Sequence, residues 1–174
     1  MACVLTSSLP LDCRDASGGI KEIKVKIHPG LATIGTDFAV TSGVVAIASG
    51  SRSLWYTYGM EKQTASFDET VNVSVPNGTR FFKQDLKFIF NKLSAKLFYE
   101  VNLLAQNRLL FAVRDMNDVY WILGMDYGMD MTSSKASTGT ARGDRSGYEL
   151  AFEGQESQTI PNITAAGYNQ LITA

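Results

Sequence analysis

The chain contains few side chains of the kinds that perform catalysis or bind metal ions. His28 is its only histidine, and Cys3 and Cys13 are its only cysteines. A structural zinc site needs ligands in close pairs along the chain, and these three residues lack that spacing. No serine or cysteine lies in a recognisable nucleophile motif. The sequence therefore predicts a protein that is not an enzyme, with no catalytic residue, no metal site and no cofactor.

Two pairs of carboxylates are the best remaining candidates for acid/base chemistry or cation binding. Asp115 and Asp118 bracket a predicted turn, where Asp is favoured because its side chain bonds the local backbone. Asp126 and Asp130 lie in Asp-Tyr-Gly-Met-Asp, which has too few oxygen ligands for a calcium loop. Turn chemistry is the favoured explanation, and a hydrolase is the least favoured function.

The segment 139–144 reads Gly-Thr-Ala-Arg-Gly-Asp. It lacks the Gly-Lys-Ser/Thr ending of a phosphate-binding loop, and no helix is predicted after it, as a dinucleotide-binding motif requires. Arg142-Gly143-Asp144 spells a cell-adhesion tripeptide, but three residues match by chance often. We interpret this match as a coincidence.

Composition excludes several classes of protein. A chain of 174 residues fits one domain. Its 16 Lys and Arg are offset by 17 Asp and Glu, so no basic field attracts it to nucleic acid. Trp55, Tyr120 and other aromatic residues more often fill cores or subunit contacts than stack on bases. With no secretion signal and no long apolar run, we expect synthesis in the cytoplasm, no membrane partner and no small-molecule substrate.

The pattern of apolar residues predicts about eight strands and one helix. The strands are expected at 20–28, 43–48, 52–58, 64–75, 80–90, 109–113, 119–124 and 148–153. An Asn-Gly turn at 76–79 joins two of them into a hairpin. Leu93, Leu97, Val101 and Leu104 fall at helical spacing and predict a helix over 92–106, with Asn91 as its N-cap. The fold class is mainly β: an antiparallel β-sandwich or barrel-like sheet with one flanking α-helix.

Four segments lack the pattern of a strand or a helix. They are the N-terminal arm 1–18, the loop 29–42, the Gly-, Ser- and Thr-rich stretch 129–146 and the C-terminal tail 160–174. A loop as long as 29–42 usually has a function, and its apolar side chains are unfavourable in a solvated loop. The arm, the loop and the tail are therefore predicted to make contacts between subunits.

Several stretches resemble structural proteins of phages and prophages in Bacteroidetes-type bacteria. They are 11–15 (LDCRD), 18–22 (GGIKE), 104–109 (LAQNRL), 119–124 (VYWILG), 138–144 (TGTARGD) and 147–154 (GYELAFEG). The layout is similar to the tail-tube, or major tail protein, fold. That resemblance implies rings of six subunits whose sheets join into an inner barrel. Stacked rings would form a hollow conduit in the virion tail, assembled in the host cytoplasm.

The resemblance also implies partners: further copies of this chain, other tail proteins, and DNA that passes through the lumen without specific binding. Alternatives remain open. The chain could be another virion component, such as a neck, terminator or head-decoration protein, or the inner tube of a phage-derived contractile injection system. A monomeric module that binds carbohydrate or nucleic acid is a further alternative.

Assignments of individual residues follow from the tail-tube interpretation. The hairpin 64–90 is expected in the shared inner barrel. DNA should slide most easily past a wall with few lysine and arginine side chains, because these bind phosphate. The predicted lumen-facing residues are Thr64, Ser66, Asp68, Thr70, Asn72, Ser74, Glu149 and Glu153. The alternative is that these are solvent-facing sides of a sheet. The predicted inter-ring contacts are Leu31, Ile34, Phe38 and Val40, whereas Lys21, Lys24 and Lys26 are expected away from the channel.

Overall fold

Residues 15–172 are described by the structure, a computed structural model, and they contain eleven strands, three α-helices and a short 3-10 helix. The strands are β1 Ile20–Ile27, β2 Phe38–Thr41, β3 Val44–Ile47, β4 Tyr56–Gly59, β5 Ala65–Ser74, β6 Thr79–Asn91, β7 Leu109–Asp115, β8 Tyr120–Leu123, β9 Met129–Ser137, β10 Gly147–Glu156 and β11 Asn162–Ile163. The helices are α1 Leu31–Asp37, α2 Ala95–Gln106 and α3 Ala165–Asn169, and the 3-10 helix is Ser49–Ser51.

The strands form one hydrogen-bonded network that folds into two layers. The first sheet has the order β4-β1-β7-β8-β11-β3-β2, and the second has the order β9-β10-β6-β5. Only the pair Leu109 and Met129 connects them. Neighbouring strands are antiparallel except β3 and β11. The predicted fold class, a mainly β antiparallel sandwich with a flanking helix, is confirmed.

The central strand β7 separates two cores. Leu109, Phe111 and Val113 point into the main core between the two sheets. Leu110 and Ala112 point into a second core on the far face of the first sheet. Because both faces are buried, β7 is a continuous apolar run rather than an alternating one.

Aromatic rings fill the main core where the two sheets face each other. The Phe152 ring lies 5.4 Å from Phe88 and 5.0 Å from Phe111, centroid to centroid. Helix α2 adds Val101 and Leu104 to the same core. Stacked and edge-on ring pairs of this kind add specific attraction to the burial of apolar area. The main core therefore packs the second sheet against the first.

The second core corrects the predictions that segment 29–42 and the C-terminal tail lack regular structure. Segment 29–42 is not an unpatterned loop, because it contains α1 and β2, which place Ile34 and Phe38 in this core. The described part of the tail, 160–172, packs there as well, through Ile163, Tyr168 and Leu171. These partners lie more than 100 residues apart in the chain, so local periodicity could not reveal them.

Two further boundaries differ from prediction. Helix α2 begins at Ala95, with Ser94 as its N-cap, whose Oγ accepts a bond of 3.2 Å from the Leu97 amide. Asn91 instead ends β6 opposite Gly147. The stretch 129–137, predicted to lack structure, is strand β9; most of its side chains are exposed, so it shows no alternation.

The hairpin of β5 and β6 is confirmed, with register from Ala65 opposite Phe88 to Ser74 opposite Thr79. Gly78, in its turn, has a φ of 62°, a conformation that favours glycine. Before β1, the Ser17 amide donates to Asn117 Oδ1 at 2.7 Å, and Asn117 Nδ2 donates to the Ser17 carbonyl at 2.9 Å. The rest of the predicted N-terminal arm, 1–14, lies outside the described residues.

Candidate assembly surface

The face of the second sheet that points away from the main core, called the outer face, carries the predicted lumen residues. Along β5, Ser66, Asp68, Thr70, Asn72 and Ser74 alternate with residues such as Ala65 that face the core. Along β10, Glu149 and Glu153 alternate with Leu150 and Phe152. The structure therefore brings both predicted sets onto one face. Thr64 precedes β5, and its hydroxyl donates to the Glu61 carbonyl at 2.6 Å.

A row of four carboxylates crosses the outer face. In the strand registers Asp68 lies opposite Asp85, Asp85 opposite Glu153, and Glu153 opposite Asp130. Cations flank the row. The Lys83 ammonium lies 3.4 Å from Asp85 and 3.2 Å from Glu153, and the Arg108 guanidinium lies 3.7 Å from Asp130. The hydrogen bond to Glu153, with the nearby carboxylates, raises the pKa of Lys83.

The prediction that the outer face carries few basic side chains needs correction. The predicted residues of β5 and β10 include no lysine or arginine, but β6 lies between these strands and contributes Lys83 and Lys87. Strand β9 adds Lys135 opposite Glu149. The sequence argument treated each strand alone, whereas the face is built by four strands. The outer face is mixed in charge, with carboxylates and lysines in adjacent rows.

Among residues 15–172, both edges of the second sheet are open: β5 pairs only with β6, and β9 pairs only with β10 over 130–137. Since every step from β5 to β9 is antiparallel, the two edge strands run in opposite directions. Natural proteins usually protect such edges with proline, lysine or a bulge. The ten residues of β5 contain neither proline nor lysine, whereas β9 carries Lys135 and a bulge against β10.

The far end of the β5–β6 hairpin extends beyond the main core. Glu69 marks the limit, where its carboxylate accepts bonds from the Thr159 hydroxyl at 2.6 Å and the Ile160 amide at 2.8 Å. Beyond it, Val71 and Val73 occupy the core side of β5 but are 51% and 62% exposed. Exposed β-branched residues in a row on one face are typical of a surface that another chain covers.

Helix α2 also exposes apolar side chains. Val101 and Leu104 are buried in the main core, whereas Phe98 and Tyr99 are 61% and 64% exposed. Leu103 is exposed at the rim of a groove between α2 and the first sheet. The helix therefore has an uncovered apolar side in addition to its buried one.

The four residues predicted for inter-ring contact fall into two groups. Leu31 and Val40 are exposed. Ile34 and Phe38, each 4% exposed, are packed in the second core of their own chain. This structure therefore assigns Ile34 and Phe38 to intramolecular packing, and only Leu31 and Val40 offer side-chain surface to a neighbour.

Two buried polar residues that the sequence did not indicate, Glu156 and Lys24, bind backbone groups of other segments. Glu156, 3% exposed, accepts bonds from the amides of Asp126 at 2.7 Å and Tyr127 at 3.2 Å. Burial raises the pKa of Glu156 to about 7. The Lys24 ammonium donates to the carbonyls of Tyr168 and Leu171, at 3.0 and 2.9 Å. Desolvation lowers the pKa of Lys24.

The remaining candidates for chemistry have structural partners. His28 Nδ1 accepts from the Gly30 amide, so its Nε2 donates to the Met125 carbonyl, each at about 3 Å. Asp115 accepts from the amides of Asn117 and Val119 at 2.8 and 2.9 Å, which confirms its predicted turn role. The Asp144 carboxylate, in the adhesion-like tripeptide, accepts from the Thr140 and Ala141 amides at 2.9 and 2.8 Å.

Comparison with known proteins yields no match to a family model, a curated protein or a solved structure. Among residues 15–172, no three side chains of His, Cys, Asp or Glu are grouped closely enough to hold a metal ion. The same part of the chain has no helix with the length and apolar character needed to span a membrane.

Proposed function

We propose that this chain is a structural virion protein, the tail-tube subunit of a phage, which forms stacked hexameric rings around a hollow conduit for DNA. One observation carries the proposal. In the described part of the chain, 15–172, the second sheet has two open edges that run in opposite directions, and its outer face is polar. Identical copies arranged side by side around an axis would join β5 of one to β9 of the next as an ordinary antiparallel pair.

Ring closure would satisfy both edges without an open-ended aggregate. Six copies, the number that the family resemblance implies, would contribute roughly 24 strands to one barrel. At a spacing of about 4.8 Å and a tilt of about 40°, such a barrel has a backbone radius of about 24 Å. Barrels of about 16–18 strands already enclose a water-filled channel. The outer face would then line a lumen wide enough for a nucleic acid.

The charge pattern of the outer face suits passage rather than binding of DNA. Each phosphate that a protein cation neutralises strengthens binding through counterion release. Lys83 is engaged by Asp85 and Glu153, which compete with phosphate for its ammonium. The carboxylate row would repel the DNA backbone. Localisation in the virion tail and contacts with other tail proteins belong to the same proposal.

Negative-stain electron microscopy of the purified protein over a range of concentrations tests this function. A tail-tube subunit should form long hollow tubes, as would the inner tube of a contractile injection system. Single rings that do not stack would favour a neck or terminator protein, and binding only to a preformed shell would favour head decoration. A protein that stays monomeric at all concentrations would contradict every assembly role.

A further inference from the structure

A groove, called the β4 groove, runs between the edge strand β4 of the first sheet and helix α2. Among residues 15–172, β4 pairs only with β1. Two adjoining cavities of about 510 and 190 Å³ form the groove, and Tyr56, Tyr58 and Glu100 line both of them. Together they fall within the range of about 300–1,000 Å³ that is usual for ligand pockets. A groove between a sheet edge and a helix suits an extended peptide, which adds a strand to the edge and places alternate side chains in the groove.

The two ends of the β4 groove differ in character. Lys92 and Lys96 line the end next to the start of α2, and neither forms a salt bridge within residues 15–172. Ile27 and Leu103, which are 58% and 37% exposed, line the other end. We therefore expect the occupant to offer apolar side chains to the groove and a negative charge to its lysine end.

The free edge of β4 presents the backbone groups of Thr57 and Gly59. The Met60 amide donates to the Lys21 carbonyl at 3.0 Å, in line with the register of β1 and β4. In an antiparallel pair, successive residues point their backbone groups alternately towards and away from the partner strand. Thr57 and Gly59 therefore point theirs away from β1, whereas the side chain of Tyr58 lines the groove.

Residues 1–14, which precede the described part of the chain, contain a segment that matches this edge. It is 9–12, Leu-Pro-Leu-Asp, and an extended chain places Leu9 and Leu11 on one side and Pro10 on the other. With the leucines in the groove, antiparallel pairing would require an amide hydrogen at position 10, which proline lacks. In parallel pairing the bonds of Thr57 go to the residues on either side of its counterpart, so the leucine amides face β4. Pro10 then faces outward, where it blocks further pairing.

The charge of the segment selects the same direction. Strand β4 runs from Tyr56, opposite Val25, to Gly59, opposite Glu22. Ile27 lies beyond Val25, so β4 starts near the apolar end of the groove and runs towards the lysine end. A parallel segment would therefore bring Asp12, which follows Leu11, to the end lined by lysines. Hydrogen bonding and charge agree on a parallel strand.

The segment 9–12 of the same chain is poorly placed to reach the groove. Ser17 is bonded to Asn117 in the turn after β7, on the far side of β1 from β4. Six residues link Leu11 to Ser17 and span at most about 21 Å. A strand added to β4 lies three strand spacings, about 14 Å, from β7, and the level of Tyr58 lies about 16 Å along the strands from Asn117. The direct path of about 21 Å leaves no slack for passing around β1 and β4.

We propose that the β4 groove binds the segment 9–12 of a second copy of this chain. The segment adds a short strand parallel to β4, with Leu9 and Leu11 against α2 and Asp12 at the lysine end. The inference rests on the proposed tube function and deepens it, because it names the site through which residues 1–14 would join one subunit to another.

Cross-linking of a full-length variant tests the contact. The variant carries Leu11→Cys and Leu103→Cys, with Cys3 and Cys13 replaced by Ser. A short bismaleimide should convert it into covalent dimers and higher oligomers. The matched control combines Leu11→Cys with Phe98→Cys, because Phe98 lies about 140° around the helix from Leu103 and lines neither cavity. The control should form several-fold fewer oligomers.

A labelled peptide of residues 4–12 tests the groove without assembly. The receptor is the full-length chain with Leu9→Asp and Leu11→Asp, which disables its own segment, and fluorescence anisotropy should show saturable binding. An N-methyl group on the Leu11 amide should weaken binding at least about fivefold, because it removes a donor that parallel pairing uses. Pro10→Ala in the peptide should change the affinity less than about twofold, because position 10 faces outward.

The outcomes separate the inference from the proposed function. If the wild type forms tubes but the 11–103 variant forms no more oligomers than its control, or the peptide does not bind, the inference is wrong and the tube proposal stands. A cross-link confined to single chains would show that the chain's own segment fills the groove, which also overturns the inference. Covalent oligomers and peptide binding that N-methylation weakens would support it; the same results from a protein that never forms tubes would contradict the tube function alone.

Discussion

The far end of the β5–β6 hairpin and the segment 29–42 both carry apolar side chains outside the main core, yet they use them differently. Val71 and Val73 are exposed, while Ile34 and Phe38 are buried under the C-terminal tail. The difference comes from chain topology. The tail returns to cover α1 and β2, whereas among residues 15–172 nothing returns to cover the hairpin. Apolar residues in an extended segment indicate a partner, but only the topology shows whether that partner is the same chain.

The largest effect should come from removing a side chain of the second core. Phe38→Ala should lower the free energy of unfolding by about 3–5 kcal/mol, because it leaves a cavity among buried neighbours. Leu31→Ala, in the same segment but exposed, should change it by less than about 0.5 kcal/mol. Urea unfolding followed by fluorescence measures both. Equal, small effects would show that the second core does not form.

A smaller loss is expected when the tail loses its buried lysine. Lys24→Met keeps the aliphatic stem but leaves the Tyr168 and Leu171 carbonyls without a donor. The free energy of unfolding should fall by about 2 kcal/mol. Limited proteolysis should cut the tail of the variant sooner than that of the wild type. Lys21→Met, which removes only an exposed salt bridge to Asp118, is the matched control and should cost less than about 1 kcal/mol.

Titration of Glu156 should produce a moderate dependence of stability on pH. Its folded pKa of about 7 lies above the ordinary value of 4.5. The folded state therefore prefers the protonated form, and this stability is lost as pH rises through 7. Relative to Glu156→Gln, the wild type should lose about 1 kcal/mol between pH 6 and pH 8. Urea unfolding of both proteins at several pH values gives this difference; a constant difference would contradict the raised pKa.

The smallest effect on the monomer should accompany the largest effect on assembly. Replacing Val71 and Val73 with Ser removes exposed apolar area, so the free energy of unfolding should change by less than about 1 kcal/mol. Tube formation should nevertheless weaken strongly. Sedimentation of assemblies, with unfolding measured on dilute protein, separates the two. Strong destabilisation of the monomer would mean that the hairpin end is covered by its own chain.

The predictable parts of the fold are those in which apolar and polar residues alternate regularly over a long segment. Strands β5 and β6, the Asn-Gly turn and the polar outer face of β5 all follow from residues close together in sequence. The second core did not, because Phe38 and Tyr168 are brought together only by the complete fold. The role of Lys24 was hidden for the same reason. On β1 it alternates as a solvent-facing residue would, but the returning tail encloses it.

The candidate site was predictable only in part. The residues of its polar face were identified from the alternation of polar and apolar residues along β5 and β10. The lysines contributed by β6 and β9 were not identified. Strand β9 gives no alternating signal because neither of its faces is well buried. Open edges depend on which strands end a sheet, and that order is a property of the whole topology.

Strand β11 has a consequence for the order of events during synthesis. It lies between β3 and β8, and within residues 15–172 it is the only strand that links the β2–β3 hairpin to the rest of the first sheet. The ribosome makes β2 and β3 early and β11 more than 110 residues later. The hairpin can pack against Leu110, Ala112 and Ile122 earlier, but its hydrogen bonds to the first sheet form only after β11 has been made. A subunit cut short before β11 would lack the strand that joins the hairpin to the first sheet, so completion of this sheet depends on the last of its described strands.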